Sequence, residues 1–254
     1  MQSYKKIFII ILLLVASVFA QSATKPDSLY EKGNEAMLQE NFTAAIIQYE
    51  KILEQSKSHP DLWYNLGNAY YRKNKIGYAV WAYEKGLQLA PRDKDLQFNL
   101  SLARTRVRDR IEMPQSSLIL EQYRALKKST TLLDIILIAA AIFMLGAFVY
   151  FLKRYYRWEG IWISRLILTL FLISLLAHLV AIDKYLGIAD KQEVIVVKSE
   201  IEIYAAPFAK RETVIFRLHE GVKAEVTQDN PEWIEILLID GKKGWIKKEM
   251  VKYL

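Results

Sequence analysis

The side chains able to do chemistry are few and scattered. The chain holds three histidines, His59, His178 and His219, each in a different region, and no cysteine. A thiolate zinc site, an iron–sulfur cluster, a thiol nucleophile and a lipid-modified cysteine are therefore excluded for this chain. No Gly-rich phosphate loop, His-Glu-x-x-His helix or Gly-x-Ser-x-Gly elbow occurs. Glu220 and Asp240 sit at turn signals and read as solvated turn residues, not as catalytic carboxylates. The expectation is a protein that is not an enzyme and holds no metal or cofactor. What remains is recognition: Tyr and Asn recurring at a fixed spacing, aromatic residues on alternating strands, and two polar residues, Asp134 and His178, inside apolar runs.

At 254 residues with 52% hydrophobic side chains, the chain can build one or two packed domains and is not mainly disordered. A net charge of +7 could suggest nucleic acid. Yet residues 24–103 are neutral and 190–254 slightly acidic, so the excess lies at the start of the chain, over 104–128 and beside the apolar runs. That is how a membrane protein distributes Lys and Arg, and no nucleic-acid partner is expected.

Three apolar runs organise the chain. Residues 1–20 read as a signal peptide: Lys5 and Lys6 lead, Ile7 to Val15 form the apolar middle, and Val18-Phe19-Ala20 precedes a cut after Ala20. The alternative is an uncleaved anchor, which leaves the downstream orientation unchanged. Residues 132–152 and 161–182 each supply about the ~20 apolar residues that a membrane helix needs. The short turn 153–160 makes them a hairpin with both outer flanks on one side. The exported start places 24–130 and 190–254 outside the cytoplasm and the turn inside. Lys153, Arg154 and Arg157 in the turn agree with positive-inside bias, while Arg124, Lys127 and Lys128 on the outer flank run against it. In this hairpin Asp134 and His178 lie at similar depth and meet if the helices face correctly; the alternative is that each reaches separately to the interface.

Residues 26–93 repeat with a period of 34: Gly33 aligns with Gly67, Ala45 with Ala79, Tyr49 with Tyr83, Asn34 with Asn68 and Tyr30 with Tyr64. The second copy, Trp63-x-x-Leu66-Gly67-x-x-Tyr70 followed by Ala79, Tyr83 and Pro91, resembles the tetratricopeptide repeat. The resemblance implies an all-α domain over 24–110, with repeats at 26–59 and 60–93 and a capping helix at 94–110. It also implies a peptide-binding groove presenting Tyr30, Asn34, Tyr64, Asn68, Tyr71 and Arg72. The competing reading is that the repeated Tyr and Asn only complete the fold. Beyond Pro114, Ser116 or Ser117 can cap a helix through Leu120, Tyr123 and Leu126, whose apolar and basic mix suits the membrane surface within the 111–131 linker.

From about 191 the pattern changes to period two: Val194, Val196, Ile201, Ile203, Val214, Phe216, Val222, Ala224, Val226, Ile234, Ile236 and Ile246 alternate with polar residues. Turn signals interrupt them, and five or six short strands are expected, forming a small barrel. Ile203-Tyr204-Ala205-Ala206-Pro207, Leu218-His219-Glu220-Gly221, Trp233-Ile234-Glu235-Ile236 and Asp240-Gly241-Lys242-Lys243-Gly244-Trp245 resemble the bacterial SH3-like family. The resemblance implies an all-β domain over 190–254 and an aromatic groove for peptide or cell wall, with Tyr204, Phe208, Trp233 and Trp245 as candidates. The alternative is that both tryptophans are structural.

The order of signal peptide, repeats, hairpin and SH3-like domain resembles the BatE family of the Bacteroides aerotolerance (Bat) group. The resemblance implies a multi-domain membrane protein of the cytoplasmic (inner) membrane. It would act as a scaffold with von Willebrand factor A-domain membrane proteins, in an envelope complex linked to oxidative stress tolerance. The competing readings are a peptidoglycan-binding adaptor that recruits wall enzymes, and a membrane-tethered holdase for exported proteins.

Overall fold

The computed structural model describes residues 28–111, 117–190 and 192–254. The signal peptide expected over 1–20 and the Pro114 stop lie outside these residues. The chain divides after Ser56 into two compact units. In the first unit, α1 (Ser28–Leu38) packs on α2 (Phe42–Glu54), whose N-cap Asn41 accepts from the Ala44 N–H at 3.1 Å. The pair is close because residue 33 is glycine. A Cβ there would fall 2.4 Å from the Tyr49 ring.

The second unit opens with α3 (Pro60–Arg72), α4 (Ile76–Leu89) and α5 (Lys94–Thr105). Pro60 occupies the first helical position, where no donor is lost, and His59 Nδ1 caps α3 by accepting from the Leu62 N–H. Asp93 caps α5 through the Asp95 and Leu96 N–H groups. The glycine contact recurs, with Gly67 lying against Tyr83 as Gly33 lies against Tyr49. Leu62, Leu66, Val80, Tyr83 and Leu96 form the sealed interior of the three helices.

The capping helix expected to run to 110 ends at Thr105. Residues 106–111 leave it as a strap towards the barrel, where Val107 and Ile111 pack against the barrel core. Burial of these two side chains on the barrel competes with helix continuation, which would leave them on a charged, solvated surface.

Next come α6 (Leu118–Ser129), α7 (Leu132–Tyr155) and α8 (Ile161–Asp190). Ser117 caps α6. Thr131 and Asp134 form a reciprocal capping box at the start of α7. Both α7 and α8 are long and apolar enough to cross a membrane, and both extend past the apolar runs at 132–152 and 161–182. They pack through Ile135, Ala139 and Gly146 on one side and Ile167, Ser174 and Ala181 on the other. Small residues let the backbones approach, and Ser174 Oγ donates across the seam to the Ala139 carbonyl at 2.9 Å.

The C-terminal block is one antiparallel sheet of seven strands among the described residues: β1 (Glu193–Val196), β2 (Glu200–Tyr204), β3 (Val214–His219), β4 (Lys223–Asp229), β5 (Trp233–Leu237), β6 (Lys243–Lys247) and β7 (Val251–Tyr253). Their order is β3-β2-β6-β5-β4-β1-β7. The seventh strand, beyond the five or six expected, is three residues long and pairs with β1, Val196 opposite Val251. Alternation puts Val194, Val196, Ile201, Ile203, Ile234, Ile236 and Ile246 into one core.

Candidate functional site

Two candidate recognition surfaces and the joints that hold them emerge. On the repeats, the Asn residues have a structural task. In the first unit Asn34 Oδ1 accepts from Tyr49 Oη at 2.8 Å. In the second, Asn68 Oδ1 accepts from Tyr83 Oη at 2.8 Å and from Asn99 Nδ2 at 2.8 Å. Burial pushes both phenols, Tyr49 and Tyr83, above the ordinary tyrosine range. Each Asn thus satisfies a buried hydroxyl that the Gly–Tyr contact has carried into the helix pair. Tyr30 leans on Tyr49 with ring centroids 6.0 Å apart.

In the second unit Tyr64 and Tyr71 are half-buried and Arg72 is exposed. The Arg106 guanidinium stands 5.2 Å over the Tyr71 ring and donates to Asn74 Oδ1 at 2.6 Å. The period of 34 continues onto α5, where Phe98 takes the place of Tyr64 and Leu102 that of Asn68. Phe98 is 66% exposed and Leu102 42%. These two exposed apolar side chains were not among the sequence candidates. The period alone would have found them.

On the barrel, Trp233 and Trp245 are each only 8% exposed and belong to its wall. The Tyr204 ring meets Trp233 edge-on at 5.5 Å, and Tyr204 lies opposite Trp245 in the sheet. Tyr204 Oη donates to Glu202 at 3.0 Å; burial first, then this bond, raises its pKa. Phe208 is 45% exposed, with Lys210 5.6 Å from its ring centre. Of the four candidates, Tyr204 and Phe208 are therefore the ones presented outward.

The barrel is fastened to the repeats by contacts that the sequence does not announce. Glu220, expected as a solvated turn residue, accepts from the Gly77 N–H at 2.8 Å. It serves as an N-terminal cap for α4, whose own N-cap Lys75 makes no side-chain bond. Gly77 packs so closely that a Cβ would fall 2.5 Å from the Val196 carbonyl oxygen. Trp81 Nε1 donates to the Tyr253 carbonyl at 2.9 Å. Glu84, 7% exposed, is held by Arg104 and Lys223. Along the strap, Asp109 accepts from the His219 N–H and bonds His219 Nδ1 at 2.9 Å, while Arg108 reaches His219 Nε2 at 2.9 Å.

A second joint ties the repeats to the hairpin. Arg92, between α4 and α5, donates to Asp134 Oδ2 at 2.9 Å and to the Ser129 carbonyl at 3.1 Å. Lys184 donates to the Lys127 and Thr130 carbonyls at the end of α6, a favourable place for a cation. Tyr123 and Lys127 both bond Asp183. The pairing expected between Asp134 and His178 is replaced by other partners. Asp134 is taken by the capping box and by Arg92, and His178 Nδ1 lies 2.8 Å from the Ser174 carbonyl of its own helix. A helix N-terminus and a guanidinium both favour the carboxylate more than an imidazole does.

The domains that carry these surfaces match known families. Residues 33–74 match the TPR repeat and residues 60–93 the tetratricopeptide repeat. Residues 197–252 match the bacterial SH3 domain. No curated protein matches the chain. The chain thus joins tetratricopeptide repeats, two helices long and apolar enough to cross a membrane, and a bacterial SH3 domain.

Proposed function

We propose that the protein is a non-enzymatic scaffold anchored in the cytoplasmic membrane. It presents its repeats and its SH3-like domain together outside the cytoplasm, within a Bat-type envelope complex linked to oxidative stress tolerance. The observation that carries the reading is the pair of joints. Glu220, Trp81 and Asp109 fix the barrel to the repeats, and Arg92 and Lys184 fix the repeats to the hairpin. A tether for one independent module needs neither joint, whereas a platform that offers two recognition surfaces at a set height needs both. The repeat surface around Tyr64, Tyr71, Phe98 and Leu102 takes an extended peptide of a protein partner, von Willebrand factor A-domain membrane proteins being the partners that the resemblance implies.

The half-buried Tyr204 and the exposed Phe208 favour a second reading, in which the barrel holds peptidoglycan. Purification from detergent-solubilised membranes separates the two. Stable co-purification of A-domain proteins, lost in Phe98→Ala with Tyr64→Ala, supports the scaffold. Retention on purified wall, lost in Tyr204→Ala with Phe208→Ala, supports the adaptor. A broad set of unfolded clients indicates a holdase instead.

A further inference from the structure

At the end of α5 the repeat surface changes from apolar to cationic. Phe98, Leu102 and Arg106 follow one another at four-residue intervals, so they form one stripe along the helix with steps of about 6 Å. The first two are exposed and apolar, and the third is an exposed cation. Arg106 also joins this stripe to α3. Its guanidinium stands 5.2 Å over the Tyr71 ring and donates to Asn74 Oδ1 at 2.6 Å.

The strap carries the cations onward. From Val107 to Ile111 burial alternates with period two, as in an extended chain. Val107 and Ile111 pack on the barrel core and Asp109 holds His219, while Arg106, Arg108 and Arg110 are exposed. Alternate residues of an extended chain stand roughly 6.5 Å apart, so the three charges lie within one Debye length and repel one another. Among the described residues no carboxylate pairs with them. Arg106 meets Asn74 and Tyr71, and Arg108 meets His219. Asp109 is committed to His219, and Glu84 to Arg104 and Lys223. The spacing points to the occupant. An apolar half and a cationic half, both stepping by about 6–7 Å, match the two-residue repeat of an extended peptide. A phosphate polymer would satisfy the arginines and leave Phe98 and Leu102 bare.

We propose that α5 and the strap form one continuous track for an extended peptide of mixed character, with apolar side chains over Phe98 and Leu102 and acidic side chains, at alternate positions, over Arg106, Arg108 and Arg110. This deepens the scaffold reading, rests on the repeat surface being its peptide site, and names the partner's chemistry. The strap then has two tasks, holding the barrel with one side and reading acidic residues with the other.

The test is selection of a random dodecapeptide library, displayed on phage, on the full chain in detergent, with Phe98→Ala protein as the counter-selection. The expected peptides carry two apolar residues at alternate positions beside two or three acidic residues at alternate positions. The most enriched one, synthesised with a fluorophore, is then titrated by anisotropy. Arg106→Ala with Arg110→Ala should weaken it about 2- to 30-fold, the range of two exposed ion pairs. Arg106→Lys with Arg110→Lys, which keeps the charge, should retain most of the binding. Added salt should weaken the parent more than the double alanine variant. Arg110→Glu, at an exposed residue with no partner among the described ones, should weaken binding with the melting curve unchanged, and so serves if Arg106→Ala disturbs the helix end. Selected peptides that depend on Phe98 but show no acidic preference overturn this inference and leave the repeat reading standing. No Phe98-dependent peptide at all overturns both. Acidic peptides that bind as tightly after their apolar residues are changed to Ser overturn the continuous track, as does binding unchanged in the arginine variants. Arginine-dependent binding of phosphatidylglycerol vesicles without acidic peptides overturns it in favour of a lipid surface.

Discussion

Asn68 sits where two aims of a repeat meet, since its amide could face a ligand but its oxygen is held by Tyr83 and Asn99. Removing it strands the Tyr83 hydroxyl in the packed helix pair, a loss of about 1–3 kcal/mol for an unsatisfied buried polar group. Asn68→Ala should therefore lower the melting temperature of the repeats, and adding Tyr83→Phe should restore part of it. Phe98→Ala should do the reverse, leaving the melt unchanged and weakening partner capture. Paired melting curves and pull-downs check both. Alkali probes the same hydroxyls. Burial raises the Tyr49 and Tyr83 hydroxyls above the ordinary tyrosine range, so the unfolded chain loses these protons first. Their contribution is full below about pH 10 and declines above it. Helical circular dichroism titrated from neutral pH upward should hold steady to that point and then fall. A loss that begins near neutrality would contradict the assignment.

At the scale of elements, the barrel is positioned by α4 and by the strap. Gly77→Ala would drive a methyl group into the Val196 backbone, and Asp109→Ala would remove the acceptor that holds His219. Either change should leave the barrel folded and free the strap. Trypsin should then cut at Arg106, Arg108 or Arg110 several-fold faster, with the tryptophan near-ultraviolet signal of the barrel retained. Equal cleavage in the parent and both variants would count against the joint.

What could be read from sequence divides along the same line. The 34-residue period, the alternation of Ile and Val in the strands and the two apolar runs are local patterns, and each produced its element. Phe98 and Leu102 lie on the same period but change side-chain type, so matching Tyr to Tyr and Asn to Asn passes over them. Glu220 with Gly77, Asp109 with His219 and Trp81 with Tyr253 are 143, 110 and 172 residues apart. No spacing rule links such pairs, because the three-dimensional packing of whole elements brings them together. Asp134 reads as half of an intramembrane pair because its partner Arg92 sits 42 residues earlier, in another domain.

At the scale of the whole molecule, a hairpin of two helices long and apolar enough to cross a membrane is joined to a body that carries two candidate recognition surfaces. Arg92→Glu should loosen that body, since it sets a second carboxylate against Asp134. Spin labels at Gln97→Cys and Glu159→Cys should give a narrow distance distribution in the parent and a broad one in the variant. The added exchange Asp134→Arg should narrow it again. In the proposed topology both surfaces face outward from a chain that crosses the membrane twice, and the absence of natural cysteines makes this directly measurable. Single cysteines at Asp61, Glu232 and Arg157, all exposed, can be treated in intact spheroplasts with a membrane-impermeant maleimide. Labelling at 61 and 232, with labelling at 157 only after lysis, is the predicted result. Labelling at 157 in intact spheroplasts, or protection of either 61 or 232, would contradict the account.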